Sequence, residues 1–263
     1  MTADCTIGFL FLSTKENRQD VSPAGSGTLV SINGFDGILT AAHVVDSLPE
    51  QGEVGILRFP ADSESHQSFK LHMEYTEVLK LGVPPYDKNS PDLAFIKLHS
   101  EDAGRLKARN YFKNLNRYRD EVLSGKLDLD SGFIGITGEI GEWVEEEPEI
   151  RQSHRVKRFG GLFGVSNLIG DYECDGWDFK QCQVDFSPET ELPDSYGGMS
   201  GGGLWNIVIE SRDGEIDVAD CKFCGVVFLE SDVMDGTKRV VTCQGPLSVY
   251  GKLFQAVEKR WPE

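Results

Sequence analysis

The sequence predicts an all-β protein with two antiparallel barrels, a helical connector between them and a helix at the C-terminal end. Residues 5–100 hold short apolar runs separated by turn-rich stretches, which is the spacing of an antiparallel barrel. A second group of strands begins at Gly132–Gly138, where an apolar run ends in a glycine turn. We therefore divide the chain into a first barrel (1–101), a connector (102–130) and a second barrel (131–263).

The first barrel is predicted from apolar runs that are each long enough for one strand. These runs are Ile7–Leu12, Gly27–Ile32, Gly37–Thr40, Val54–Phe59, Phe69–Tyr75 and Leu93–Leu98. The connector is predicted as one amphipathic helix over Asp102–Leu123, because its apolar residues recur at helical spacing and its Lys and Arg residues fill the other face. The same argument predicts a terminal helix over Leu247–Trp261.

Composition limits the partners of the protein. The formal net charge is −17, which argues against nucleic acid or an anionic membrane as a partner, since phosphate contacts need clustered Lys and Arg. The apolar run Ile7–Leu12 is too short to span a bilayer and lacks the basic flank of a signal peptide. We expect a cytoplasmic protein whose six cysteines are reduced thiols.

Cys221 and Cys224 have the C-x-x-C spacing of some zinc and redox sites. A second pair, Cys174 and Cys182, is eight residues apart and lacks the tight spacing of a second zinc knuckle. On a strand, Cys221 and Cys224 point to opposite faces. Buried thiols are therefore the favoured interpretation, with no metal and no organic cofactor expected, and a zinc-stabilised interaction domain is the alternative.

The segment Asp194–Trp205 surrounds Ser200 with glycines and then continues as an apolar run. Glycine is needed where a backbone turns sharply or where a substrate approaches closely. A serine in this setting has an exposed Oγ, and the neighbouring amide groups are free to stabilise an oxyanion. A plain turn has the same composition, so the interpretation depends on a base and a carboxylate elsewhere.

Two earlier segments supply those groups. His43 follows the apolar run Gly37–Thr40 among small residues, which places it at the end of a predicted strand. Asp92 stands at the start of the apolar strand Leu93–Leu98. Taken singly, each residue fits a turn or a core position, but the order His, Asp, Ser along one chain predicts a nucleophilic serine with its base.

These motifs resemble those of trypsin-like serine peptidases of the chymotrypsin fold. Thr40–His43 is similar to the histidine motif of that family, Asp92–Ala94 to its aspartate motif and Gly198–Gly202 to its serine motif. Gly25–Val30 is similar to the glycine-rich strand that precedes the histidine in the family. The resemblance implies two six-stranded barrels, with the active site between them and a protein or peptide as the substrate.

The resemblance also implies a role for each residue. Ser200 would attack a peptide carbonyl, His43 would transfer the proton, and Asp92 would orient the imidazole. The backbone N–H groups of Gly198 and Ser200 would form the oxyanion hole. Asp194, six residues before the serine, together with Phe228 and Glu230 on the following strand, would shape the substrate pocket. Asp194 would favour a basic residue there, and the alternative is that it only caps a turn after Pro193.

One departure from the family pattern concerns Met199. Digestive members have an aspartate immediately before the serine, which pairs with a new N-terminus after zymogen cleavage. Met199 cannot form that ion pair, so the chain is more similar to intracellular, HtrA-like or virus-type members. Its serine loop would then be ordered in another way, or would stay latent until an activating or substrate-delivering protein binds. A catalytically silent peptidase fold that acts as a scaffold or binding module is the alternative.

Overall fold

The computed structural model describes residues 2–15, 18–59, 69–128, 132–151, 154–184, 193, 195–212, 215–231 and 239–262. These residues are mostly in β-strands and form two sheets, one from each half of the chain. The all-β prediction is confirmed at this level. Among the described residues, no helix is both long enough and apolar enough to span a membrane.

The first sheet is an open sheet of eight strands. Its strands are β1 (Thr6–Lys15), β2 (Arg18–Ile32), β3 (Phe35–Thr40), β4 (Glu53–Arg58), β5 (Phe69–His72), β6 (Glu77–Lys80), β7 (Ala94–Lys97) and β8 (Lys113–Asn114). Seven of them pair in the order β5-β4-β1-β2-β3-β7-β6, and β8 adds to β2 in parallel.

The prediction of a closed first barrel is therefore not confirmed. Strands β5 and β6 lie at opposite ends of the sheet, although only a 3₁₀ turn over Met73–Tyr75 separates them along the chain. That turn is held on the β4 side, where the N–H of Met73 donates to the carbonyl of Gly52 at 2.9 Å. The two neighbouring strands are thereby directed to different edges.

The second sheet closes into a ring of six strands. They are β9 (Phe133–Arg151), β10 (His154–Cys174), β11 (Trp177–Val184), β12 (Gly203–Arg212), β13 (Glu215–Glu230) and β14 (Arg239–Gln244). Each strand is antiparallel to its neighbours, in the ring order β10-β11-β14-β13-β12-β9.

Short helices connect and cover the two sheets. They are α1 (Thr2–Cys5), α2 (Ala42–Ser47), α3 (Ser100–Lys107), α4 (Arg119–Leu123) and α5 (Phe254–Arg260), with a 3₁₀ turn over Leu115–Tyr118 and a π-turn over Ser248–Leu253. The predicted C-terminal helix is confirmed as the π-turn followed by α5. The predicted continuous connector helix is wrong. After α3 the chain is extended so that β8 pairs with β2, and the side chain of Asn114 then accepts a hydrogen bond from the N–H of Asn116.

The two sheets share one of the hydrophobic cores. Leu39 and Phe95 from the first sheet, Trp205 and Phe223 from the second, and Phe254 from α5 are all buried in the same cluster. Cys221 lies in this shared core, whereas Cys224 lies in the core inside the ring. All six cysteines are free, and within the described part of the chain no three His, Cys, Asp or Glu residues are placed to hold a metal ion.

Candidate active site

His43 and Asp92 form a polar pair that is joined by two contacts. His43 is on α2, directly after β3, and Asp92 lies just before β7, which pairs with β3. The Asp92 Oδ2 atom is 2.5 Å from His43 Nδ1, and Asp92 Oδ1 accepts a hydrogen bond from the His43 backbone N–H at 2.9 Å. The carboxylate thus contacts the ring and the backbone of the same residue. This pairing fixes the orientation of the ring and leaves Nε2 as the free nitrogen of the imidazole.

The burial of the two groups differs in a way that suits a base and its orienting partner. Asp92 is 1% exposed, whereas the His43 side chain is 34% exposed. A buried carboxylate is stabilised mainly by its hydrogen bonds, so it holds its partner strongly. The imidazole keeps one edge open to the cavity beside it.

A second group of polar residues adjoins His43, and the sequence motifs did not indicate it. The ring of Tyr86 lies 6.0 Å from that of His43, and its hydroxyl donates to Asp46 on α2. Lys80 also donates to Asp46, at 2.5 Å. The hydrogen bonds from Lys80 and Tyr86 lower the pKa of Asp46. Asp46 is three residues after His43 on a helix, and this spacing was the one available signal.

Ser200 and His43 line the same cavity, whose volume is about 450 Å³. The other lining residues are Phe11, Pro23, Ala24, Gly25, Val44, Ser47, Gly141 and Gly198. The Ser200 Oγ atom donates to the carbonyl of Phe228 at 3.4 Å, and its backbone carbonyl accepts from the N–H of Ser26 at 2.7 Å. The fold therefore brings the predicted base and nucleophile to one cavity, between the first sheet and the serine loop.

The predicted oxyanion donors border the same cavity. Gly198 has a φ of +99°, and a Cβ atom at this position would lie 2.9 Å from the backbone N of Gly141, so glycine is required there. Within the described part of the chain, neither the Gly198 N–H nor the Ser200 N–H donates to another protein group. Both donors are free for an incoming oxygen.

Contacts from both sheets hold the loop that carries Ser200. On the first sheet, Ser26 Oγ donates to the carbonyl of Gly198 and accepts from the N–H of Glu139, both at 2.7 Å. On the second sheet, the N–H of Gly201 donates to the carbonyl of Val227 at 2.7 Å. Met199 is fully buried in the core of the ring. The buried Met199 side chain therefore anchors the loop inside the ring.

Of the predicted pocket residues, Phe228 and Glu230 are described, and neither lines this cavity. Glu230 Oε2 accepts from Ser195 Oγ and from the N–H of Tyr196, both at 3.1 Å, and Glu230 Oε1 pairs with Arg239 at 2.6 Å. Phe228 is buried, with its ring 6.0 Å from that of Phe179. Asp194 lies outside the described residues. Their roles in substrate binding remain predictions, but Glu230 has a clear position as a support of the serine loop.

Glu139 is a buried acid beneath the loop, and the sequence motifs did not reveal it. Its side chain is fully buried, and neither carboxyl oxygen has a hydrogen-bond partner within the described residues. It packs against Gly8, where a Cβ atom would lie 2.5 Å from Glu139 Oε2. Burial raises the pKa of Glu139 to about 8. The group therefore holds a proton at neutral pH.

Comparison with known proteins gives limited similarity. The chain matches no protein-family model and no curated protein. A solved structure from a study of aromatic interactions in the coupled folding and binding of the intrinsically disordered Sesbania mosaic virus VPg protein is similar to it, with a TM-score of 0.47 and 15% identity. That similarity covers 95% of this chain and 90% of the other.

Proposed function

We propose that this protein is a serine endopeptidase of the trypsin-like class, with His43, Asp92 and Ser200 as its catalytic triad. The observation that carries the proposal is the His43–Asp92 pair, which stands at the edge of the cavity that also contains Ser200. The first sheet would supply the base and its partner, and the second half of the chain would supply the nucleophile. The sequence motifs and their order support the same assignment.

In the proposed reaction, Ser200 Oγ attacks the carbonyl carbon of a peptide bond while His43 Nε2 takes its proton. The resulting tetrahedral oxyanion is stabilised by the N–H groups of Gly198 and Ser200. When the C–N bond breaks, the imidazolium returns the proton to the leaving amine, and Ser200 is left as an ester. Water then attacks this ester by the same route in reverse and releases the acid.

The role of Asp92 follows from its two contacts with His43. By accepting from Nδ1, the carboxylate keeps the proton on that nitrogen and leaves Nε2 as the acceptor. The hydrogen bond from the backbone N–H of His43 fixes the position of this carboxylate relative to α2. The ring therefore needs no reorientation when the imidazolium forms.

One observation favours the alternative of a silent or latent fold. Ser200 Oγ donates to the carbonyl of Phe228, and no hydrogen bond joins it to His43 within the described residues. Rotation about the Cα–Cβ bond of Ser200 is the smallest change that would free this hydroxyl for the base. A substrate or an activating protein would then favour the rotated form.

Covalent labelling with a fluorophosphonate tests the proposal, because the probe reacts with an activated serine and needs no knowledge of the substrate. We expect one adduct, located by mass spectrometry on the peptide that contains Ser200. Ser200→Ala should abolish the adduct, and His43→Ala should slow its formation by about 10²–10⁴-fold, the usual contribution of a general base.

Ser47→Ala is the matched control, because Ser47 lines the same cavity and its hydroxyl donates only to the carbonyl of Val44 in the described structure. This variant should label at the native rate. A folded native protein that does not react would support the silent scaffold, and labelling that appears only after a peptide or protein is added would support latency.

A further inference from the structure

A separate cavity of about 370 Å³ lies at the end of β4 and the C-terminal end of α3. Its lining includes Arg58, Arg105 and Arg109, together with Asn110 and the ring of Phe69. No carboxylate belongs to the lining formed by the described residues. Three guanidinium groups around one cavity are unexpected in a chain whose formal net charge is −17.

Arg58 is the most unusual of the three arginines. It is 8% exposed, and its one side-chain hydrogen bond within the described residues runs from Nη1 to Asn110 Oδ1, at 3.2 Å. No carboxylate pairs with it among those residues. Burial and the nearby charge of Arg109 lower its pKa. A buried cation that has no countercharge among the described residues is unfavourable, so an anion that enters the cavity would be stabilised there.

The other two arginines are placed to complete such a site. The guanidinium of Arg105 stacks over the ring of Phe69 at 4.6 Å, which restricts its orientation. Its one carboxylate neighbour in the described residues is Asp102, at 3.7 Å, and because the Arg105 side chain is 60% exposed this long pair contributes little. Arg109 is exposed and has no ion pair with a described residue. Both groups are therefore free to bind a ligand.

We propose that this cavity binds a phosphomonoester. Guanidinium groups are planar forks that bind phosphate oxygens in pairs, and a phosphomonoester carries three terminal oxygens and nearly two negative charges. A single carboxylate has one charge and two oxygens, so it could not bind all three guanidinium groups of the cavity. The cavity does not include any residue of the proposed triad, so this site is independent of the proposed peptidase activity.

Isothermal titration of the full chain tests the proposal, with inorganic phosphate and O-phosphoserine as probes and glutarate as the carboxylate probe, at constant ionic strength. We expect saturable binding of one phosphate group per chain. Arg105→Gln and Arg109→Gln should each weaken it by about tenfold or more, as expected for the loss of a charge-assisted hydrogen bond. Both side chains are exposed, so neither variant should prevent folding.

Arg117→Gln is the matched control, since it removes the same charge from an exposed residue that does not line the cavity. It should leave the affinity unchanged. Tighter binding of O-phosphoserine than of inorganic phosphate would identify an esterified phosphate as the ligand, and the reverse would overturn the ester assignment. The absence of saturable binding, equal weakening by Arg117→Gln, or equal affinity for glutarate would overturn the site.

Discussion

The base and the nucleophile of the proposed triad are held by different kinds of contact. His43 and Asp92 both lie next to strands of the first sheet, and the Asp92 carboxylate makes both of the hydrogen bonds that fix the histidine. The loop of Ser200 depends instead on Ser26 from the first sheet and Val227 from the second. Changes at the base should therefore alter the chemistry and leave the fold intact, whereas changes in the loop should alter both.

The largest expected effect is that of Asp92→Asn. An asparagine cannot keep the proton on His43 Nδ1, so Nε2 would no longer act as the acceptor, and the rate of fluorophosphonate labelling should fall by about 10⁴-fold at neutral pH. Thermal unfolding should show a folded protein. Asp46→Asn is the control, because Asp46 makes no hydrogen bond to His43 among the described residues and acts on it only through its charge, and its loss should change the rate by less than about tenfold. Similar losses in the two variants would contradict the assignment of Asp92.

The second prediction concerns the loop of Ser200 and compares two glycines that have similar positive φ angles. Gly201 has a φ of +90°, and a Cβ atom there would lie 2.0 Å from the carbonyl oxygen of Ser26. Gly34 has a φ of +81° and open space around it. Gly34→Ala should cost about 1–2 kcal/mol of the free energy of unfolding, which is the strain of a left-handed alanine.

Gly201→Ala should cost clearly more than Gly34→Ala and should also abolish labelling, because the backbone must move away from Ser26. Chemical denaturation and the labelling rate measure the two effects. Equal losses of stability, with labelling retained in both variants, would show that contact between the sheets does not support the loop.

The third prediction uses the buried acid beneath the loop. Because the pKa of Glu139 rises from 4.5 to about 8 on folding, the folded chain keeps a proton that the unfolded chain releases between these values. The unfolded state binds fewer protons in this window, so Glu139 should lower the free energy of unfolding by up to about 1.4 kcal/mol per pH unit as the pH rises from 4.5 to 8.

Glu139→Gln removes this titration and should reduce the slope of stability against pH in denaturation curves measured across that window. Glu50→Gln is the control, since it removes the same charge from an exposed position. An unchanged slope in Glu139→Gln would mean that the carboxyl group is not protonated in the folded state.

The sequence predicted the parts of the site that depend on local motifs. His43, Asp92 and Ser200 each stand in a short segment with a recognisable composition, and the fold places them around one cavity or in direct contact with its base. The structure of the first sheet could not be predicted in the same way. Strands β5 and β6 have four residues each, and their separation depends on the hydrogen bond between Met73 and Gly52. Apolar periodicity carries no information about such a contact.

The sequence did not predict the arginine cavity either. Arg58 is 47 positions before Arg105, and each residue separately fits an ordinary polar position on the surface. Only the packing of α3 beside the end of β4 brings them to one cavity. The buried Glu139 was missed for a related reason: it alternates with apolar residues on a strand whose polar face would ordinarily meet water, and here that face meets the first sheet at Gly8.

The contacts of the serine loop have a consequence for the synthesis of the chain. The loop binds residues that follow it in sequence, through Val227 and Glu230, and Glu230 is paired in turn with Arg239. A ribosome releases these residues after Ser200. The nascent chain therefore contains both His43 and Asp92 long before the loop of Ser200 can form. If the proposed peptidase activity is correct, the chain should therefore be unable to cleave itself or its neighbours until Val227 and Glu230 have left the ribosome.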